Sequence, residues 1–246
     1  MNGKGAMDPA ASVLMRAEGL TRRFGGVTAV NGVSFELGSR EILGIIGPNG
    51  AGKSTLLALL GGELKPTSGL VYFRNHDVTE RRSFARCREG LARTFQIPRP
   101  FPELTVIQNV IVGAHYGAST GAWVVDEILE LCGLTSQALT KSGDLTHSDQ
   151  RRLELARALA TGPEVVLLDE VGAGLSQEEI DQFAELVEEL RLRGLSLVVV
   201  EHVMSFVMRV SDRLLVIDEG NTIAYGIPQD VVRHPAVIDA YLGGAV

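Results

Sequence analysis

EILGIIGPNGAGKSTLLALLGG, residues 41–62, decides the fold. It opens as a short, nearly continuous apolar run, the pattern of a strand buried on both faces of a parallel sheet. It closes as an apolar helix. Between the two, GPNGAGKST (47–55) fits G-x-x-x-x-G-K-[ST] in the strand–loop–helix setting that a phosphate-binding loop requires. Gly47, Gly50 and Gly52 let the backbone wrap close to phosphate oxygens. Lys53 reaches toward the β and γ phosphates, and Ser54 offers its hydroxyl to Mg2+. Asn49 and Thr55 complete the candidate nucleotide contacts of the loop.

Working outward, EVVLLDE (164–170), LSLVVVEH (195–202) and RLLVIDEG (213–220) repeat the buried-strand pattern, with helical segments between them. In SQEEIDQFAELVEELRLRG, Ile180, Phe183, Leu186, Val187 and Leu190 share a face, Ser176 caps the start and Gly194 marks the stop. Asp169 ends a buried strand, where a fold with a phosphate loop holds its Mg2+ and where ligands bind at the edge of a parallel sheet. Glu170 beside it reads as a general base that polarises an attacking water. His202 ends the next apolar strand. Taken alone, a His in that place is more often structural; beside Glu170 it reads as a polar group aimed at the γ-phosphate. Gln96, after a short apolar run and before a Pro-rich stretch, reads as a loop residue on its own and, with the other motifs, as a carrier of information from the nucleotide.

The composition sets bounds on this reading. A chain of 246 residues, 45% hydrophobic and 22% charged, has core enough for one large domain or a core with a lobe. A net charge of −7 speaks against a protein that coats nucleic acid, so no nucleic-acid partner is expected. Cys87 and Cys132 have neither CxxC nor metal-ligand spacing and read as thiols of a reducing compartment. No segment has the ~20 apolar residues that span a bilayer. Residues 1–13 lack the apolar stretch of a secretory signal and read as a flexible leader. Between Pro98 and Ser142 the character turns helical, which suggests a helical lobe inserted into the α/β core. The run ERRSFARCREGLAR (80–93), with Arg81, Arg82, Arg86, Arg88 and Arg93, reads as a solvated helix face.

One more stretch, GDLTHSDQRRLELARALATGP (143–163), is a helix start. Thr146 and Asp149 have the spacing of a capping box, in which each side chain satisfies a free amide of the first turn. An exposed helix N-terminus also attracts phosphate.

Taken in order, these elements resemble the nucleotide-binding subunits of ABC transporters over nearly the whole chain, from residue 14 to 242. GLARTFQIPRPFPELTVIQNV, RRLELARALA, LLDEVGAGLS and VEHVMSFVMRVSDRLLVIDEG look like the LivG-type ATPases of branched-chain amino acid importers. The resemblance implies an α/β P-loop NTPase (RecA-like) parallel sheet core, with an N-terminal antiparallel β subdomain and an inserted helical subdomain. It implies one domain over 14–246, with the core at 14–96 and 160–246 and the insert at about 97–159. It implies ATP and Mg2+ as ligands, Phe24 stacked on adenine, Ser54, Gln96 and Asp169 around the metal, Glu170, His202 and Gln96 as catalytic, and residues 172–176 as the loop between paired subunits. Val171 and Ser176, where many relatives have Pro and Asp, are both compatible with the LivG branch.

The implied machine has two cassettes packed head to tail, so that ATP on one is closed over by the signature helix of the other. The expected partners are a LivF-like second cassette or a second copy of the chain, two transmembrane permease subunits and, indirectly, a solute-binding protein. The chain would sit at the cytoplasmic face of the plasma membrane without crossing it. Thr146 and Ser148 are the signature candidates for nucleotide contact. The signature departs from LSGGQ, however: His147 and Ser148 stand for two glycines and Asp149 for Gln. An Asp carboxylate near a phosphate is repelled, and its capping competes for the same amides. With Lys53, Asp169, Glu170 and His202 intact, a heterodimer is the favoured arrangement. The alternative outside transport is a soluble ABC ATPase acting on nucleic acid or ribosomes, which usually carries two cassettes or a long coiled coil.

Overall fold

The computed structural model describes residues 12–117, 124–170, 172 and 176–242. Residues 1–11 of the expected leader, Val171 and residues 173–175 of the expected inter-subunit loop lie outside them.

Strands β1 (Val13–Phe24) and β2 (Val27–Gly38) pair antiparallel. Next come β3 (Ile42–Ile46), helix α1 (Lys53–Gly61), β4 (Ser68–Phe73), β5 (His76–Asp77), α2 (Ser83–Arg88) and β6 (Leu91–Arg93). A helical stretch follows with α3 (Val106–Tyr116), α4 (Val125–Leu131), two 3-10 turns (Thr135–Gln137 and Ser142–Asp144) and α5 (His147–Ala160). The chain then alternates through β7 (Val165–Asp169), α6 (Gln177–Leu192), β8 (Ser196–Val200), α7 (Met204–Val210), β9 (Arg213–Asp218), β10 (Asn221–Gly226), α8 (Pro228–Val231) and α9 (Pro235–Leu242).

Two sheets result. A four-stranded antiparallel sheet has the order β2-β1-β4-β5, and a six-stranded sheet has the order β10-β9-β3-β8-β7-β6. In the second sheet only β10 runs antiparallel to its neighbour. Strands β3, β7 and β8 are buried at all five positions. The pleat sends alternate residues to opposite faces: Leu43, Ile45, Leu167 and Val198 join α1 and the antiparallel sheet, while Ile42, Ile46, Leu168 and Val199 join α5, α6 and α7. Burial on both faces is why these runs are apolar without alternation.

In the helical stretch, Asn109 is fully buried; its side-chain amide donates to Leu104 O, Thr105 O and Ser142 Oγ and accepts from Phe101 N–H. This ties the start of α3 to the turn that leads into α5. Helix α6 buries Ile180, Phe183, Val187 and Leu190 as its periodicity demands, with Leu186 half-buried. Cys87 and Cys132 are free, and burial pushes the Cys132 thiol up to about 12. No helix among the described residues is long and apolar enough to cross a membrane.

The basic run at 80–93 is not a uniform solvated face. Arg86 is 1% exposed. Its guanidinium donates to the carbonyls of Leu59, Leu60, Thr79 and Arg81, and burial lowers its pKa to about 10. Helix α1 leaves its last carbonyls without intrahelical partners, and this side chain takes two of them.

Candidate nucleotide site

The phosphate loop leaves the carboxyl end of β3 and enters α1 through two turns that exclude a side chain. Gly47 has φ 155°, and a Cβ there would lie 2.0 Å from Ile217 O; Gly52 has φ 103°, and a Cβ there would lie 2.1 Å from Ala29 O. These are backbone-on-backbone approaches that no rotamer relieves, so glycine is required by space as well as by dihedral. The loop is held by Gly220 N–H to Ala51 O (3.0 Å) and Ala51 N–H to Pro48 O (3.2 Å). Tyr241 of α9 shares a hydrogen bond with the Gly47 backbone.

Lys53 is 5% exposed, and its ammonium donates to Gly47 O at 2.8 Å and Pro48 O at 2.9 Å. Burial lowers its pKa, opposed by the charges of Glu170 and then Asp169. Asp169 ends the next strand but one and Glu170 follows it, so the sheet order brings together groups far apart in sequence. Ser54 is exposed at the first turn of α1 and Thr55 is half-buried, while Asn49 and Gly50 face solvent.

Asp169 is 3% exposed at the end of β7. Arg93 Nη2 donates to its Oδ2 at 2.8 Å, whereas Oδ1 is buried with no hydrogen-bond partner. An orphaned buried carboxylate oxygen is costly unless something fills the place, and a divalent cation is the natural complement of an aspartate there. Among the described residues no group of three His, Cys, Asp or Glu could hold a metal by protein ligands alone. The donor set therefore fits an ion that takes its remaining ligands from a hydroxyl and phosphates rather than from a protein cage.

Glu170 adopts a left-handed backbone with φ 48°, its N–H fixed by Val200 O at 2.9 Å. Non-glycine residues in this region cost energy and cluster at functional positions. Gln96 Nε2 donates to Glu170 Oε2 at 2.5 Å, so the loop after β6 touches the residue read as the general base. His202 is half-exposed and makes no side-chain hydrogen bond to Glu170; its Nδ1 lies 3.9 Å from Glu201 Oε2. Phe24 is 45% exposed at the end of β1, with the Arg22 guanidinium over its ring at 4.6 Å.

Thr146 and Ser148 do not join this cluster. Thr146 caps α5 by accepting Asp149 N–H at 3.1 Å, and its hydroxyl donates to Asp149 Oδ2 at 2.8 Å. The expected reciprocal box is therefore only half formed. In this chain Thr105–Gln108 and Ser176–Glu179 make the full box. Aspartate is one methylene shorter than Gln or Glu, and its carboxylate stops at the Thr hydroxyl instead of reaching the cap N–H. Ser148 hydrogen-bonds Glu179, whose pKa is lowered chiefly by the Ser176 N–H.

Three contributors escaped the sequence reading. Arg93 lies in a run that reads as a solvated face, yet it pairs with the Asp169 carboxylate. Glu201 is fully buried and accepts Gly172 N–H at 2.5 Å and His202 N–H at 3.2 Å; burial raises its pKa, opposed by those two amides. Its signal was a lone carboxylate closing a run of apolar residues. Tyr241 carried no local signal.

The comparisons agree with this geometry. The family described as "ABC transporter" matches residues 30–173, and "Branched-chain amino acid ATP-binding cassette transporter" matches residues 221–246. The chain is 40% identical to the high-affinity branched-chain amino acid transport ATP-binding protein LivG of Salmonella typhimurium, over 94% of this chain and 98% of that protein. It is 36% identical to BraF of Pseudomonas aeruginosa, with the same coverage. Among solved structures, an ATP-binding cassette of an ABC transporter in its ADP conformation matches with a TM-score of 0.85 at 31% identity, over 94% of this chain and 99% of that one. Another cassette, solved as a dimer in a post-hydrolysis state bound to ADP and Pi, matches with a TM-score of 0.77 at 26% identity, over 87% and 99%. These relatives lend no support to a soluble ATPase acting on nucleic acid. A phosphate loop at the centre of a mixed six-stranded sheet, the acidic pair beside it and relatives matched nearly end to end lead to one conclusion: this chain belongs to the ABC transporter family of ATP-binding proteins, in its LivG group.

Proposed function

We propose that this chain binds ATP with Mg2+ at the phosphate loop and hydrolyses it to drive uptake of branched-chain amino acids or related small amides. Its partners in this reading are a second cassette, LivF-like or a copy of itself, two membrane-spanning permeases on whose cytoplasmic side the chain sits, and a solute-binding protein beyond them. The observation that carries it is the convergence of Lys53, Asp169 and Glu170 on one loop mouth.

In the proposed mechanism, the amides of the glycine loop and the Lys53 ammonium take the β and γ phosphates, and Phe24 supplies the ring face for adenine. Ser54, Asp169 and the amide oxygen of Gln96 would hold Mg2+, which supplies charge neutralisation at the transferring phosphoryl group. Glu170 accepts the proton of the attacking water as the new bond to the γ phosphorus forms and the bond to the bridging oxygen breaks. His202 faces the phosphoryl group from the end of β8, and Glu201 fixes the backbone on which it stands. The described residues of the stretch from about 97 to 159 make up the helical subdomain in this reading. With the Gln96 loop it offers the permeases a groove of about 340 Å³ between α2 and α3, lined by Phe84, Phe95, Tyr116 and Arg157.

The test is Glu170→Gln. ATP binding should persist while turnover falls about 10²-fold or more; turnover at the unaltered rate would refute the assignment. Co-purification of the chain with membranes, lost on removal of the permeases, checks the transport role.

A further inference from the structure

Strands β6 and β7 run parallel with Arg93 opposite Leu167. The chain beyond Arg93 therefore travels beside Asp169 and Glu170 and makes two contacts there. Gln96 meets Glu170, as described. Arg93 meets Asp169 in an ion pair whose side chains are 10% and 4% exposed. That pairing leaves Asp169 with one satisfied oxygen and one orphan. The arginine is itself tethered: its other amino group pairs with Glu63, and Phe95 lies under its guanidinium at 5.4 Å.

Two physical effects follow for a cation at Oδ1. A guanidinium hydrogen-bonded to one oxygen fixes the rotation of the carboxylate, so the second oxygen has one direction in which to point. The same positive charge, close by in a poorly solvated place, offsets part of the attraction between carboxylate and metal. Glu63 moderates the second effect, because it shares the arginine.

We infer that Arg93 is a positioning residue for the metal: by holding Asp169 through Oδ2 it aims Oδ1 at the cation, while its charge, the larger of the two effects, weakens the hold enough for the ion to exchange with each nucleotide. The inference rests on the proposed metal role of Asp169. In this role Arg93 acts through the Asp169 carboxylate.

The experiment titrates Mn2+ into the full chain with a non-hydrolysable ATP analogue and follows the free ion by electron paramagnetic resonance. Arg93→Gln should bind Mn2+ about threefold or more tightly than the unaltered chain, since a repelling charge is gone. Glu63→Gln should shift binding the other way, because the whole guanidinium then belongs to Asp169. A purely structural role would lower the melting temperature of both variants without moving the metal constant in opposite directions. Unchanged or weaker binding in folded Arg93→Gln, or unchanged or tighter binding in Glu63→Gln, overturns the inference. Should Arg93→Gln fail to fold, the sign of the Glu63→Gln shift decides. If Asp169→Asn binds Mn2+ as tightly as the unaltered chain, the metal role of Asp169 falls, and the inference with it.

Discussion

Glu201 shows how one residue can set the geometry of a site without entering the chemistry. It accepts the amides of Gly172 and His202, and so ties the segment after Glu170 to the segment that carries the histidine. Burial raises its pKa. A carboxyl whose folded pKa is raised binds more protons folded than unfolded, so its contribution to stability falls as pH rises from the ordinary carboxylate range through the folded pKa. We expect the unaltered chain to lose more stability over that window than Glu201→Gln does, measured as the difference in urea midpoint between the two proteins across pH 4.5 to 8. Equal pH dependence would mean that Glu201 is not the group responsible. Single residues were legible in the sequence where the chemistry is local. The glycines and Lys53 of the loop read directly, because their spacing follows from wrapping a phosphate. Arg93 and Glu201 did not, because Arg93 meets Asp169 and Glu201 meets Gly172 only once distant segments have assembled, and their burial depends on the assembled sheet.

At the scale of elements, strands β3, β7, β8 and β9 were readable because a strand buried on both faces writes itself as an unbroken apolar run. Strand β6, three residues long, showed only as a short apolar run before Gln96, and the antiparallel sheet was expected only through resemblance. Helix α2 was recognisable as basic, but its Arg86 turned inward to satisfy the end of α1. Arg86→Leu should cost about 2 to 5 kcal/mol, since several buried carbonyls lose a charged donor at once; a chemical denaturation midpoint within error of the unaltered chain would contradict this. The three helix caps make a second comparison. Two close the full box and α5 closes half of one, with its Thr146 hydroxyl proton given to Asp149. In a pair built from two copies of the chain, Asp149→Gln combined with His147→Gly should raise ATP turnover about tenfold or more. No gain would show that the signature is not what limits the pair.

For the whole molecule, alternating apolar strands and helices along the chain imply an α/β core with a helical lobe, and the sheet order explains how that core builds the site. Strand β3 sits between β8 and β9, which come much later in the chain, so the acidic pair, the histidine and the loop meet only through the fold. Pairing of the cassette with a second subunit is checked by turnover of the chain alone and with a LivF-like partner; fast, equal turnover without that partner would exclude the heterodimer.

The same strand order fixes a sequence of events in time. The loop is translated early, yet β8 and β9, which flank β3, and Gly220, which holds Ala51, emerge after most of the chain. At ribosomal speeds of roughly 5 to 20 residues per second, the finished loop waits on the order of 10 to 30 s for its walls. Nascent chains halted after β7 should ignore a fluorescent ATP analogue, and chains carried beyond β10 should capture it. During synthesis, ATP capture thus reports that the chain has passed β10.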